Sequence, residues 1–180
     1  MEICKGDILI ASPFLEDTNF EKSVILITEC NETGHIGFIL NKPLDVSLQD
    51  VLNTFVEEEF SLFYGGPVSD NALFYVHRFD KIKDAMPILP HLYWGGDFEQ
   101  IKDLIARKGV QNNDIRFFAG YSGWSPGQLE EEIKEKAWIL QKTTSLIMKT
   151  PVEFIWRDKI RRMNNEYAYW ANMPANPSMN

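Results

Sequence analysis

Cysteine is nearly missing from this chain: Cys4 and Cys30 are the only two in 180 residues. Two thiols so scattered exclude a disulfide framework and a paired-cysteine metal site, and they fit the reducing cytosol. Histidine is scarce as well. His35, His77 and His91 lack the short spacings that let imidazoles share a metal, so we expect no metal and no cofactor. No apolar run approaches the roughly 20 residues that cross a bilayer, and Met1 to Asp7 carry charges where a signal peptide needs an apolar core. An unprocessed cytoplasmic protein is the expectation. Positive charge is in deficit, with 18 Lys and Arg against 26 Asp and Glu, a net charge of -8 and a pI near 4.9. An acidic surface repels phosphate backbones unless a local basic patch overrides the average. Internal repeats, low-complexity blocks and the P-loop and dinucleotide glycine spacings are also absent.

What is present suits one compact domain, with 44% hydrophobic residues. Asp7 to Ala11 reads as a strand stopped by Ser12-Pro13. Ser23 to Glu29 is apolar almost throughout and β-branched, as in a central strand covered on both faces. The turn residues Asn31 to Gly34 return it as a hairpin through His35 to Leu40. Ser47, with Asp50 three residues on, caps a short helix to about Phe55, followed by the acids Glu57 to Glu59. Leu62 to Tyr64 leads into the Gly65-Gly66-Pro67 turn, and Ala72 to His77 alternates as a strand. Residues 78–96 read as a long loop with one short strand around Ile88 to Leu92. Asp97 caps a helix whose apolar stripe is Phe98, Ile101, Leu104 and Ile105, ended by Gly109. Trp138 to Gln141 reads as a strand. Thr150-Pro151 opens a final helix to about Met163, and a polar, proline-broken tail covers 166–180. Strands and helices mix without strict alternation, so the fold class is α+β.

The sharpest local pattern is Gly120 to Leu129, GYSGWSPGQL. It follows the strand Ile115 to Ala119 and precedes a helix to about Lys136. We read it as a loop, with Ser125 as N-cap, Pro126 as first helical residue and Gln128 completing a capping box.

Several separated motifs fit one family in order: Gly6 to Leu9, Ala11-Ser12-Pro13, Gly37 to Pro43, Tyr64 to Val68, Arg116 to Glu130, and Trp138. On these the chain resembles the bacterial AlgH/YqgE family. Lys22 and Cys30 stand where that pattern leads us to expect arginine and histidine. The resemblance implies a single α+β domain over 1–165 with a bent, bifurcated, mixed sheet curled towards a partial barrel and flanked by helices. It also implies a cytosolic bacterial setting and the label of transcriptional regulator, with no activity attached.

Candidate ligand-binding residues are Ser12, Asn41, Lys42, Gly65, Gly66, Tyr121, Ser122, Gly123, Trp124 and Ser125. They lie at strand ends or in the GYSGWSPGQL stretch, where Gly123 and Ser125 amides could cradle an anion near a helix start. Against that stand Glu130 to Glu132 and the absence of a phosphate-binding lysine. Turn and packing roles are the plainer reading for the same residues. A serine hydrolase would use Ser122, but the elbow pattern needs glycine at 124, where tryptophan stands. No catalytic residue is assigned. The expected function is a non-catalytic regulatory or binding protein acting through protein or small-ligand contacts; the alternative is a small hydrolase or anion-binding enzyme built on Gly120 to Leu129. Direct DNA contact would have to use Arg157, Lys159, Arg161 and Arg162 on the final helix, interrupted by Asp158.

Overall fold

The computed structural model describes residues 2–52, 59–107 and 109–163. Among them ten strands form one sheet: β1 (Asp7–Ala11), β2 (Val24–Asn31), β3 (Gly34–Ile39), β4 (Pro43–Ser47), β5 (Ser61–Tyr64), β6 (Val68–His77), β7 (Met86–Leu89), β8 (Leu92–Trp94), β9 (Ile115–Trp124) and β10 (Trp138–Lys142). The helices are α1 (Leu48–Leu52), α2 (Phe98–Ala106), α3 (Gln128–Lys134) and α4 (Val152–Arg161), with a 3-10 turn at Ser145–Lys149. The main path runs β10-β1-β2-β3-β9-β6-β8-β7, and β4 joins through β5, which pairs with β9. That β5–β9 pair is parallel and the others are antiparallel. The α+β class holds. The expected curl towards a partial barrel does not: the sheet is open and not strongly curled. Closure needs the two end strands to pair, and among the described residues β10 and β7 each have one neighbour, β1 and β8.

The sheet forks on β9. Phe117 to Ala119 lie beside Leu62 to Tyr64 of β5 and, on the other side, Leu73 to Tyr75 of β6. Past Gly120, Ser122 to Trp124 pair instead with His35 to Gly37 of β3. β9 therefore exchanges one neighbour for another at Gly120, whose φ is +70°. A side chain has no room there, since a Cβ on Gly120 would stand 2.5 Å from the Gly66 carbonyl oxygen, and one on Gly65 would run into the carbonyl of Gly120. Gly65 is also a three-way tie. Its N–H donates to Ala119 O at 2.8 Å, and its carbonyl accepts from Ile39 N at 3.1 Å and Ser122 Oγ at 3.0 Å.

Helices seal both faces of β1–β3, which is why β2 is apolar along its length. Ile155, Trp156 and Ile160 of α4 pack on Ile8, Ile10, Val24 and Leu26, and Leu129 of α3 packs with Leu9, Ala11, Ile25 and Ile27. Each buried isoleucine, leucine or valine among them contributes about 1.5–3 kcal/mol. Trp156 Nε1 donates to Ala11 O at 2.8 Å and fixes the placement of α4. Ile101 and Ile105 of α2 cover a third cluster with Tyr75, Ile115 and Phe117. β9 supplies Phe118 to the first cluster, Trp124 to the second and Ile115 and Phe117 to the third, so it is the spine of the domain.

Several local expectations need correction. Gly120 to Trp124 is strand and not loop, because β3 supplies pairing partners invisible in the local sequence. α3 starts at Gln128 behind a left-handed Gly127 cap, and half of the capping box survives: Gln128 Oε1 accepts from Ser125 N at 3.0 Å, while the Ser125 hydroxyl caps nothing. The short strand placed at Ile88 to Leu92 is the hairpin β7–β8, whose turn Pro90-His91 falls inside it; proline fixes the first turn residue and His91 takes φ +57°. β6 begins at Val68, four residues early. Thr150 does not cap α4, whose N-cap is Pro151. The Asp97 and Ser47 caps form as expected. The continuation of α1 to Phe55, Glu57, Glu58 and the 166–180 tail lie outside the described residues.

Candidate functional site

Between the β2–β3 hairpin tip and the C-terminal end of β9 lies a cleft of about 270 Å³. Tyr121, Gly123, Trp124 and Ser125 line one wall, and Asn31, Thr33, Gly34 and His35 the other. Asn31 Oδ1 accepts from Thr33 N at 2.8 Å and Thr33 Oγ1 at 2.6 Å, which shapes the tip. Trp124 is a wall rather than a contact, being 5% exposed. Its Nε1 donates to Glu132 Oε2 at 2.9 Å, and Trp138 Nε1 donates to the same oxygen at 2.7 Å. One carboxylate thus locks two indoles. His35 Nε2 stands 3.7 Å from Glu130 Oε1, while its buried Nδ1 has no hydrogen-bond partner.

The other predicted site residues stay apart from this cleft. Ser122 is fully buried with its hydroxyl on the Gly65 carbonyl, which denies a substrate access to Oγ. Gly65 and Gly66 form the fork behind it. Asn41 accepts from Val24 N and donates to Lys22 O, both at 2.8 Å. Lys42 Nζ donates to Asn19 O at 2.8 Å and Thr18 O at 3.2 Å, so it clasps the loop before β2. Burial pushes its pKa down, against the opposing pull of Glu21 and Asp17. Ser12 borders a separate cleft of about 430 Å³ with Phe14 and Lys136. The structure therefore gathers Tyr121, Gly123, Trp124 and Ser125, and leaves Ser12, Asn41, Lys42, Gly65, Gly66 and Ser122 elsewhere.

Sequence reasoning missed His35 and the hairpin tip as parts of this site, because the pairing of β3 with β9 spans about ninety residues and leaves no local mark. It also missed a cleft of about 440 Å³ between Phe79 to Ile82 and α2. The basic residues of the final helix lie in different surroundings. Arg157 stacks on Phe154, with its guanidinium carbon 4.8 Å from the ring centre, while Lys159 and Arg162 border a different cleft. Among the described residues no cluster of three or more His, Cys, Asp or Glu side chains is placed to hold a metal, both cysteines are free, and no helix is long and apolar enough to cross a membrane.

A family model described as AlgH-like matches residues 8–168. A UPF0301 protein of Cytophaga hutchinsonii is 41% identical over 182 residues, spanning 99% of this chain and all of that protein. A UPF0301 protein of Bacteroides fragilis is 39% identical over 98% of this chain and 91% of its own length. Among solved structures, a crystal structure of a Corynebacterium diphtheriae protein superposes with a TM-score of 0.76 at 26% identity, covering 96% of this chain and 94% of the other. The solution structure of the AlgH protein of Pseudomonas aeruginosa gives 0.73 at 23% identity, over 98% of this chain and all of that one, a likeness of fold. With the motif-bearing β9 inside the matched span and relatives of this identity over nearly the whole length, the chain belongs to the AlgH-like family.

Proposed function

We propose that this is a non-catalytic, cytosolic binding protein that regulates through a partner or small polar ligand seated in the cleft between the β2–β3 tip and the end of β9. One observation carries the reading. The side chains that an enzyme would use from the sequence motifs, Ser122, Asn41 and Lys42, are committed to backbone atoms, whereas the cleft rim presents Tyr121, Thr33, Asn31 and Ser125 around a preformed hollow. Such a rim offers hydrogen bonds and shape, and no activated nucleophile. The net charge of -8 and the stacking of Arg157 on Phe154 favour this route over direct DNA contact.

A thermal-shift panel of metabolites, nucleotides and a mixed-sequence duplex, backed by pull-down from cells, supplies the ligand or partner. Thr33→Trp fills the cleft from an exposed position and should abolish binding at only a small cost in melting temperature, from the lost hydroxyl bond to Asn31. A turnover lost in Lys42→Ala or Ser122→Ala while the domain stays folded would instead establish an enzyme.

A further inference from the structure

The last turn of α4 and the segment before it enclose a cleft of about 210 Å³, remote from the one at the end of β9. Its wall carries Lys159 and Arg162 together with Thr143 and Thr150. In a chain of net charge -8, cations rarely want for carboxylates. Yet neither of these two makes an ion pair among the described residues, and neither threonine hydroxyl is hydrogen-bonded there. Burial first, and the Arg162 charge second, push the pKa of the half-buried Lys159 down, so the neighbouring charge that it senses is a like one. Two cations at the end of a helix have a plainer use, since they complement the C-terminal dipole. That use does not account for their sharing a cleft with two threonine hydroxyls.

We propose that this cleft binds the phosphoryl group of a small phosphate monoester, with Lys159 and Arg162 as charge partners and Thr143 and Thr150 as hydroxyl donors. A phosphoryl group brings nearly two negative charges and three acceptor oxygens at neutral pH, which matches two cations and two donors. The cleft is smaller than the roughly 300–1,000 Å³ of whole-ligand pockets, so it suits a head group with the rest of the molecule outside. Asp158, also on the wall, sets the strength: its carboxylate opposes any anion.

Titration of the full chain with inorganic phosphate and with phenyl phosphate, at low salt and followed by phosphorus NMR and calorimetry, tests the site. Binding should weaken about tenfold in Arg162→Ala, as for one lost charge-assisted hydrogen bond, and about tenfold again when Lys159→Ala is added. Asp158→Asn should tighten it. Arg162 is exposed, so its variant folds and keeps the test decisive. Two results overturn the proposal: affinities unchanged in Arg162→Ala and Lys159→Ala while only the melting temperature falls, which leaves the dipole role alone, or a mixed-sequence duplex that binds tighter than either phosphate and loses as much from Arg157→Ala. The Thr33→Trp variant should leave phosphate binding unchanged, which separates this site from the β9 cleft.

Discussion

A histidine faces each end of β9, and the two differ in what surrounds them. His77, opposite Ile115, is fully buried; Nε2–H donates to Gly95 O at 3.0 Å and Nδ1 accepts from Phe79 N at 3.2 Å. Its ring lies between Phe79 and Tyr93, stacked on both. His35, opposite Trp124, is 6% exposed, yet its Nδ1 is unbonded and its Nε2 has only a loose approach to Glu130. Burial alone does not separate them; satisfaction of the ring nitrogens does. The first end of β9 is closed by hydrogen bonds, and the second is left open beside a cleft.

The largest effect should come from breaking the junction between the two ends. Gly65→Val drives a branched side chain into the Gly120 carbonyl and forces β5 away from β9. We expect more than about 4 kcal/mol of lost stability, or no soluble domain at all. Circular dichroism melts measure it, and wild-type melting would show that the two strands need not touch. At the second end, Glu132→Ala strips both indole N–H groups of their acceptor, at about 1–3 kcal/mol each. Glu132→Gln keeps one oxygen and should cost less. Denaturant unfolding read by tryptophan fluorescence would sink the two-indole lock if Ala and Gln behaved alike.

The first end should be sensitive to acid. Burial holds the His77 pKa below its ordinary value near 6.5, partly offset by the Gly95 hydrogen bond, so the folded state prefers the neutral ring and the unfolded chain takes up the proton first. Stability from this residue is complete above that ordinary value and is lost as pH falls through it towards the lowered folded pKa. The denaturation midpoint of the wild type should drop between about pH 7.5 and 5.5. In His77→Gln that drop should shrink; an equal drop in both proteins would assign the acid sensitivity to other groups.

The legibility of the two ends followed the range of the interactions. β1, the β2–β3 hairpin and α2 were readable because their signals are local: the apolar run stopped by Ser12-Pro13, the Asn31 to Gly34 turn and the Asp97 cap. A bifurcated sheet came only from the family resemblance, and the place of the fork was not readable, since Gly65 and Gly120 look like loop glycines until β5 and β9 lie side by side. Of the candidate site, Tyr121, Gly123, Trp124 and Ser125 were readable from their own motif. His35 was not, because only the pairing of β3 with β9 brings it to them. Asn41 and Lys42 attracted attention as polar residues at a strand end, and their partners, Lys22, Val24, Thr18 and Asn19, lie about twenty residues upstream.

Ser125 provides the smallest and most discriminating comparison. As a helix N-cap its hydroxyl would hold an orphan amide, and Ser125→Ala would cost about 1 kcal/mol. In the fold the helix starts at Gln128 behind Gly127, and the bond runs the other way, from the Ser125 amide to the Gln128 side chain, which also donates to Glu132 Oε1 at 2.8 Å. Alanine keeps that amide. Ser125→Ala should therefore stay within about 0.5 kcal/mol of the wild type, as surface changes usually do. Gln128→Ala should cost more, because it frees the Ser125 amide and removes a support from the carboxylate that holds Trp124 and Trp138. The same pair separates folding from binding at this end of β9: Ser125 borders the cleft, so its alanine variant should weaken ligand capture while leaving the melt unchanged.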